Sequence, residues 1–345
     1  MKYSNLTYYL LAILCIMATS CVTDGVMDDY PDNSDNLVLL DGAHINFVLT
    51  FPETSTRGIT EDDGLINERK IDDIHIYTFQ NDKFVEEIKY ILISGVDGDT
   101  KRIVEGKLSE TYTTAQSMEF VVIVNAENKG VTNISIEKGD SKKTLYNKLI
   151  FNYEDHEDWS TYIPMWGVGS ITDIKNGIYN IGDLTLKRAI AKVNVTVNEG
   201  KGIEGFQIDE IILHNYNTQG FCAPLDANEA PFIPGSSNIS GNSLTSGKLS
   251  GAEGNRVENR FYIPEHKNVR IDEDSKLYLT IKATVKGISN TYTLRFIKDD
   301  LAYDVLRNNM YVFNIQSVKM DDVEISLKYE VKVWEKETVD VPSFD

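Results

Sequence analysis

The chain has 345 residues, a formal net charge of −19 at pH 7 and 18 tyrosines, but only 8 prolines. Phosphate groups would repel so acidic a chain, which argues against nucleic acid or anionic lipid as a partner. The length is typical of about two domains, each with room for a hydrophobic core.

Residues 1–20 have the features of a lipoprotein signal peptide. Lys2 provides a positive charge, the apolar run after it is too short to span a bilayer with flanks, and small residues precede Cys21. We expect cleavage before Cys21 and lipidation of its thiol, which would tether the chain to a membrane from outside the cytoplasm. An ordinary secretory signal is the alternative, and it also predicts export.

The segment 21–42 is rich in Asp and Asn and predicts a solvated, acidic tether. Residues 43–52 then alternate in polarity, which is typical of a one-sided strand. Its apolar face comprises Ile45, Phe47, Leu49 and Phe51. A polar stretch follows and carries Arg57 in its middle, where a protease would reach it.

Alternation of this kind dominates the rest of the chain, and no amphipathic helix longer than about three turns is predicted. Strands are expected over 70–79, 84–93 and 184–197. The segment 119–125, apolar from 120 to 124, predicts a central strand buried on both faces.

A weak internal repeat relates the two halves. The segment Ile71-Asp-Asp-Ile74 is similar to Ile208-Asp-Glu-Ile211, and each follows a strand and a polar loop. This order predicts two β-sandwich domains of related topology, over 43–181 and 182–345.

The end of the chain also alternates. Leu327, Tyr329, Val331 and Val333 share one face, Val339 and Val341 continue the same parity, and Phe344 follows. This strand either closes its own domain or remains available to another molecule. No turn signal brings residues 335–345 back, which favours them as the free part.

The sequence has few candidates for catalytic or metal-binding motifs. The five histidines have no metal-binding spacing, and neighbouring side chains in Asp155–Asp158 would point opposite ways on an extended segment. Cys222 has no histidine pairing signature and is expected to be a buried thiol. Arg188 and Lys192 are expected to form structural salt bridges. The sequence predicts no catalytic residue, metal site or cofactor, and hence no enzyme.

Several short motifs in one order resemble the fimbrillins, the lipoprotein-derived subunits of type V pili in Bacteroidales and their relatives. The similarity covers essentially the whole chain. After the lipobox and the Thr56-Arg57 loop, its motifs are Ile74–Phe79, Pro164–Gly167, Leu186–Val193, Phe261–Glu265, Leu306–Tyr311 and Val333-Trp334.

This resemblance implies an all-β fold of two tandem transthyretin-like Greek-key sandwiches after the lipoprotein signal. It also implies maturation by an arginine-specific protease and polymerisation by strand exchange. The cut would fall between Arg57 and Gly58, because the rival Arg69 abuts a strand. The displaced strand would be 43–52, and the donor residues would be those of the alternating C-terminal face.

The implied partners are other copies of the chain or related subunits, and the precursor would contact the outer membrane only through its acyl anchor. The alternative is a monomeric surface lipoprotein that binds glycan or host protein, with Trp159 and Trp166 as stacking platforms. A hydrolase has the least support.

Overall fold

A computed structural model describes residues 42–51, 65–132, 134–153, 158–197, 205–224, 241–269, 271–298, 301–320 and 325–333. These residues are mostly in strands, so the expected all-β class is confirmed. The one α-helix among them is α1, Lys142–Tyr146, which the side chain of Ser141 caps by accepting a hydrogen bond from the Thr144 amide.

The strands in chain order are β1 (Ala43–Thr50), β2 (Ile74–Gln80), β3 (Lys83–Glu87), β4 (Tyr90–Ser94), β5 (Lys101–Lys107), β6 (Gln116–Val124), β7 (Ile150–Asn152), β8 (Met165–Ile174), β9 (Gly177–Thr185), β10 (Lys187–Arg188), β11 (Ile190–Val197), β12 (Phe206–His214), β13 (Gln219–Phe221), β14 (Ser243–Thr245), β15 (Arg256–Pro264), β16 (Tyr278–Val285), β17 (Ile288–Arg295), β18 (Ile297–Lys298), β19 (Leu301–Ala302), β20 (Met310–Met320) and β21 (Ile325–Val333). Short 3-10 helices cover Ile66–Arg69, Glu127–Lys129, Gly251–Asn255 and Glu273–Ser275.

Four main sheets contain most of these strands. Sheet 1 has the order β4-β5-β1-β9, sheet 2 the order β10-β8-β6-β2-β3, sheet 3 the order β15-β11-β20-β21 and sheet 4 the order β14-β12-β16-β17. Sheets 1 and 2 share a hydrophobic core, and we call this pair the first sandwich. Sheets 3 and 4 share another and form the second sandwich.

The strand order of the first sandwich recurs in the second. β1 lies between an antiparallel β5 and a parallel β9, and β11 likewise lies between an antiparallel β15 and a parallel β20. β2 pairs antiparallel with β6, the strand that follows β5, and β12 pairs antiparallel with β16, the strand that follows β15. The similar segments 71–74 and 208–211 thus lie at or within strands of equivalent position. β9 continues to Thr185, four residues past the expected domain limit at residue 181. The division into domains at that residue stays a prediction.

Sheet 2 is covered on both faces. Phe120 and Val122 of β6 belong to the core of the first sandwich, whereas Val121 and Ile123 point into the cluster that continues into the second. All four side chains are fully buried. The expectation of a central strand buried on both sides is therefore confirmed for β6.

Two expected strands are divided in the structure. The segment 84–93 separates into β3 in sheet 2 and β4 in sheet 1, because the chain crosses between the sheets at Ile88, which is buried in the core. The segment 184–197 contributes to three strands, β9, β10 and β11. The break near Ala189 lets the chain pass from the first sandwich to the second.

Candidate functional site

β1 occupies an interior position of sheet 1 and has a paired neighbour on each side. It pairs antiparallel with β5, from His44 opposite Lys107 to Thr50 opposite Lys101. It pairs parallel with β9, from Ala43 opposite Gly177 to Thr50 opposite Thr185. The first strand of the described chain is therefore part of the interior of its sheet, not an edge.

The inner face of β1 is fully buried, as the alternation predicts. Ile45, Phe47, Leu49 and the following Phe51 are each at most 3% exposed. They pack with side chains of sheets 1 and 2, among them Ile76, Val104, Phe120, Val122 and Leu184. The other face, with Val48 and the polar residues, is only partly buried.

Loss of this strand would leave a defined gap. The facing edges of β5 and β9 would lose their hydrogen-bond partners, and the core would open along a trough lined by apolar side chains. An extended segment with alternating apolar residues fits such a gap, because main-chain hydrogen bonds supply affinity and alternate side chains supply register.

Arg57 and Gly58 lie outside the described residues, as does Cys21. The described residues continue from Leu65, and the rival protease site Arg69 comes four residues later. Arg69 is 8% exposed, lies in a 3-10 helix, and its Nε donates a hydrogen bond of 2.8 Å to the Gly98 carbonyl. A protease would not reach this arginine without local unfolding.

β21 contains the predicted donor residues Leu327, Tyr329, Val331 and Val333. Its backbone pairs antiparallel with β20, from Ile325 opposite Met320 to Val333 opposite Tyr311. β21 thus lies at the edge of sheet 3 in the same chain, which is the closing arrangement that the sequence left open. Val339, Val341 and Phe344 lie outside the described residues.

The described residues hold no cluster of His, Cys, Asp and Glu arranged to bind a metal ion. Asp155, His156 and Glu157 lie outside that part of the chain. Cys222 is fully buried as expected, and burial raises the pKa of its thiol to about 12, so the unreactive thiol form persists at neutral pH. Lys192 forms an ion pair of 2.7 Å with Glu68, as its expected structural role requires.

His266 makes the stability of the protein sensitive to acid. It is fully buried, and burial lowers its pKa from 6.5 to about 4, against smaller effects of Asn268, Asp304 and Asn215 that raise it. The folded protein therefore keeps His266 neutral while the unfolded chain takes up a proton below pH 6.5. The contribution of neutral His266 to the free energy of unfolding is fully present above pH 6.5. It falls by about 3 kcal/mol as the pH drops towards 4.

The variant His266→Leu should lose this contribution. We expect a smaller difference between its unfolding free energies at pH 7.5 and pH 4.5 than the wild type shows, measured by urea denaturation. His75 has the opposite sign, because the hydrogen bond to Glu87 raises its pKa, so His75→Leu should increase the acid sensitivity. Equal pH dependence in His266→Leu and wild type would contradict the assignment.

Of the two tryptophans expected as stacking platforms, Trp159 is buried and Trp166 is partly buried. Trp159 is 3% exposed, with its ring 4.9 Å from that of Tyr153. Trp166 is partly buried, and its Nε1 donates a hydrogen bond of 3.3 Å to the Tyr146 hydroxyl. Burial in the core corrects the stacking prediction for Trp159, whereas Trp166 stays partly exposed and its stacking role stays a prediction. Tyr90 is 80% exposed and lines a shallow groove of about 560 Å³ that residues of β1, β4 and β5 also line.

Most of the chain matches one known protein family. The model of the Fimbrillin-A associated anchor proteins Mfa1 and Mfa2 matches residues 40–340. The chain belongs to this family. The resemblance to fimbrillins is thereby confirmed, whereas no curated protein matches the chain in a sequence comparison.

Two solved structures have a fold similar to that of this member of the Mfa1 and Mfa2 family. A candidate cell adhesion protein from Parabacteroides distasonis ATCC 8503 is 15% identical, with a TM-score of 0.53, covering 86% of this chain and 98% of that one. A fimbrilin (fimA) from Porphyromonas gingivalis W83 is 13% identical, with a TM-score of 0.51 and the same two coverages. At these identities the similarity shows the fold alone.

The Mfa1 and Mfa2 family is one of fimbrial and cell adhesion proteins and not a class of enzymes. Membership implies association with other fimbrial subunits and a location in fimbriae at the cell surface. Within the described ranges, no helix combines the length and apolar character that crossing a membrane would need.

Proposed function

We propose that this protein is a structural subunit of a cell-surface fimbria that serves adhesion. It is exported as a lipoprotein on Cys21, matures by proteolysis between Arg57 and Gly58, and polymerises by strand exchange. The observation that carries this proposal is the position of β1, an interior strand with a fully buried inner face. Its covalent link to the rest of the sandwich is the segment that contains Arg57.

Energetics explain why cleavage would act as a switch. Ile45, Phe47, Leu49 and Phe51 each contribute about 1.5–3 kcal/mol by burial, roughly 6–12 kcal/mol in all. While the chain is intact, β1 is held in place by this burial and by its covalent link, so the precursor is capped by its own strand. After the cut, β1 is held only by noncovalent contacts and another strand can compete for its place.

The competing strand would come from the C-terminal region of a neighbouring subunit. Residues 335–345, with Val339, Val341 and Phe344, are the preferred donor because β21 already pairs with β20. β21 lies at the edge of sheet 3 and has one paired neighbour, so its release would break one ladder only. We therefore include Leu327, Tyr329, Val331 and Val333 as a second part of the donor face.

Digestion of the precursor with an arginine-specific protease tests this function. The full chain with Cys21→Ala should be cut once, after Arg57, and should then form ladders on a denaturing gel without heating. Arg57→Lys keeps the positive charge but removes the specific site, so it should stay uncut and monomeric. Cut protein that remains monomeric at high concentration, with residues 43–57 still bound, would contradict strand exchange.

A second arm of the digest identifies the donor. A chain that lacks residues 335–345 should still be cut after Arg57 and should accept a strand from an intact subunit, but it should not extend the polymer. Normal ladders from the shortened chain alone would show that the donor lies elsewhere.

The family description favours a second function, that of a fimbrial anchor. An anchor would keep Cys21 and β1 attached, and would supply its C-terminal strand to the first shaft subunit without being cut itself. Mass spectrometry of the protein isolated from cells distinguishes the two functions, since a shaft subunit begins at Gly58 and an anchor retains the lipidated Cys21. The monomeric glycan-binding alternative loses Trp159 as a platform, because that side chain is buried in the core, and keeps only the partly buried Trp166.

A further inference from the structure

The residues that follow the Arg57 segment are fixed between the two sandwiches. We call Leu65–Arg69 the boundary turn, since it contains the 3-10 helix Ile66–Arg69. Glu68 and Arg69 are 3% and 8% exposed, which is unusual for charged residues outside regular sheets. Both are held by contacts to distant parts of the chain.

Glu68 connects the boundary turn to the second sandwich. Its Oε1 accepts hydrogen bonds from Lys192 Nζ of β11 at 2.7 Å and from the Tyr262 hydroxyl of β15 at 2.6 Å. Its Oε2 accepts one from the Leu65 amide at 3.2 Å. Burial alone would raise the pKa of Glu68, but the cations of Lys192 and Arg188, with the hydrogen bonds from Lys192 and Tyr262, lower it.

The opposite side of the turn rests on the first sandwich. Arg69 Nε donates to the carbonyl of Gly98, in the connection between β4 and β5. Gly98 has a φ of +90°, and a Cβ built there would lie 2.5 Å from Ile66 Cγ2 and 3.0 Å from the Ile66 carbonyl oxygen. Only glycine fits this close approach without displacing the turn.

We propose that the boundary turn is a proteolytic stop, which keeps Arg69 inaccessible and fixes the end of any removable N-terminal segment before Leu65. The proposal goes beyond the proposed maturation and rests on it only for its biological use. A protease needs an extended, accessible backbone, so a cut after Arg69 requires local opening of the turn. Opening breaks the contacts of Glu68 and leaves Lys192 buried without its carboxylate.

A cut after Arg69 would also be harmful to assembly. It would remove the carboxylate that neutralises Lys192 and the side chains packed on Gly98. The two sandwiches would lose one of their connections, and the β5 edge that faces the gap would lose its support near Gly98. The stop therefore protects the gap between β5 and β9 that maturation is proposed to open.

Limited digestion of the full chain with an arginine-specific protease, read by mass spectrometry, tests the stop. In the wild type we expect no cleavage after Arg69 under native conditions. Glu68→Gln keeps the shape but removes the charge, and it should speed cleavage after Arg69 at least about 100-fold, because breaking a buried ion pair strongly favours local opening. Gly98→Ala should expose the same bond by displacing Ile66 from the other side.

Two control variants separate local opening from general destabilisation. Lys282→Met breaks the exposed ion pair with Glu210 and should leave the digest unchanged. Arg307→Leu breaks a different buried ion pair of the second sandwich, the one with Glu265, and it should not expose Arg69 selectively. Wild-type cleavage after Arg69 as fast as at exposed arginines, or resistance of Arg69 in both Glu68→Gln and Gly98→Ala, would overturn the proposal. Failure to cut at Arg57 or to polymerise would instead count against the proposed function.

Discussion

Replacing Phe47 with alanine should lower the free energy of unfolding by about 3–5 kcal/mol, the range for truncation of a buried phenylalanine. Phe47 is 1% exposed at the centre of β1, opposite Val104 of β5. Its ring fills the core between sheets 1 and 2, so its loss leaves a cavity that the paired strands on both sides prevent from collapsing.

Urea denaturation followed by tryptophan fluorescence measures this effect. Val48→Ala is the matched control, because Val48 is the next residue on the same strand and faces outward. It should cost less than about 1 kcal/mol. Similar losses for the two variants would show that the inner face of β1 is not the dominant contribution.

The same variant has a second consequence under the proposed function. Phe47 belongs to the segment that would leave, so Phe47→Ala should weaken the hold on the cut segment and speed its replacement. The finished polymer would contain a donor strand in that position and should be as stable as the wild-type polymer. A polymer weakened by Phe47→Ala would mean that β1 remains in the assembled subunit.

The sequence predicts those features of the fold that depend on local pattern. The alternation over 43–52 identifies the inner face of β1, and the apolar segment within 119–125 identifies β6. Asn81 and Asp82, residue types that tolerate the left-handed region, lie between β2 and β3 and both have positive φ. In each case the side-chain period or the turn chemistry is contained in fewer than ten residues.

Features that depend on distant residues are not predicted. The segment 84–93 reads as one strand, yet its two halves join different sheets, because the crossing at Ile88 is decided by the core and not by the period. The apolar face of β21 predicts a strand, but it cannot show that β20 is its neighbour. A strand pattern does not specify its partner.

The motifs on which the family resemblance rests contribute residues to buried ion pairs, and the sequence alone does not show these contacts. Lys192 of the segment 186–193 and Tyr262 of the segment 261–265 meet at Glu68, which is 124 residues from Lys192. Glu265, from the same segment 261–265, and Arg307, from the segment 306–311, form a second buried ion pair. A single charged residue in an apolar strand indicates such a pair, but the identity of its partner requires the structure.

Replacing Arg307 with leucine should destabilise the protein by about 3–5 kcal/mol, because it leaves the Glu265 carboxylate buried and unpaired. Arg307 Nη2 lies 2.7 Å from Glu265 Oε2, and both side chains are 4% exposed. The backbone amide of Arg307 also donates to Glu265 Oε1 at 3.1 Å, and Nη1 donates to the Cys222 carbonyl at 3.3 Å. One arginine thus joins the start of β20 to the end of β15 and to the segment after β13.

The double variant Glu265→Leu/Arg307→Leu separates the pair's net contribution from the cost of breaking it. Removing both charges relieves the unpaired carboxylate, so the double variant should recover most of the stability that Arg307→Leu loses. Urea denaturation of the wild type, both single variants and the double variant gives the coupling energy. Single-variant losses below about 1 kcal/mol, or strictly additive losses, would show that the two side chains do not depend on each other. The expected recovery instead means that this pair stabilises the junction mainly by mutual neutralisation of two charges that folding has already buried.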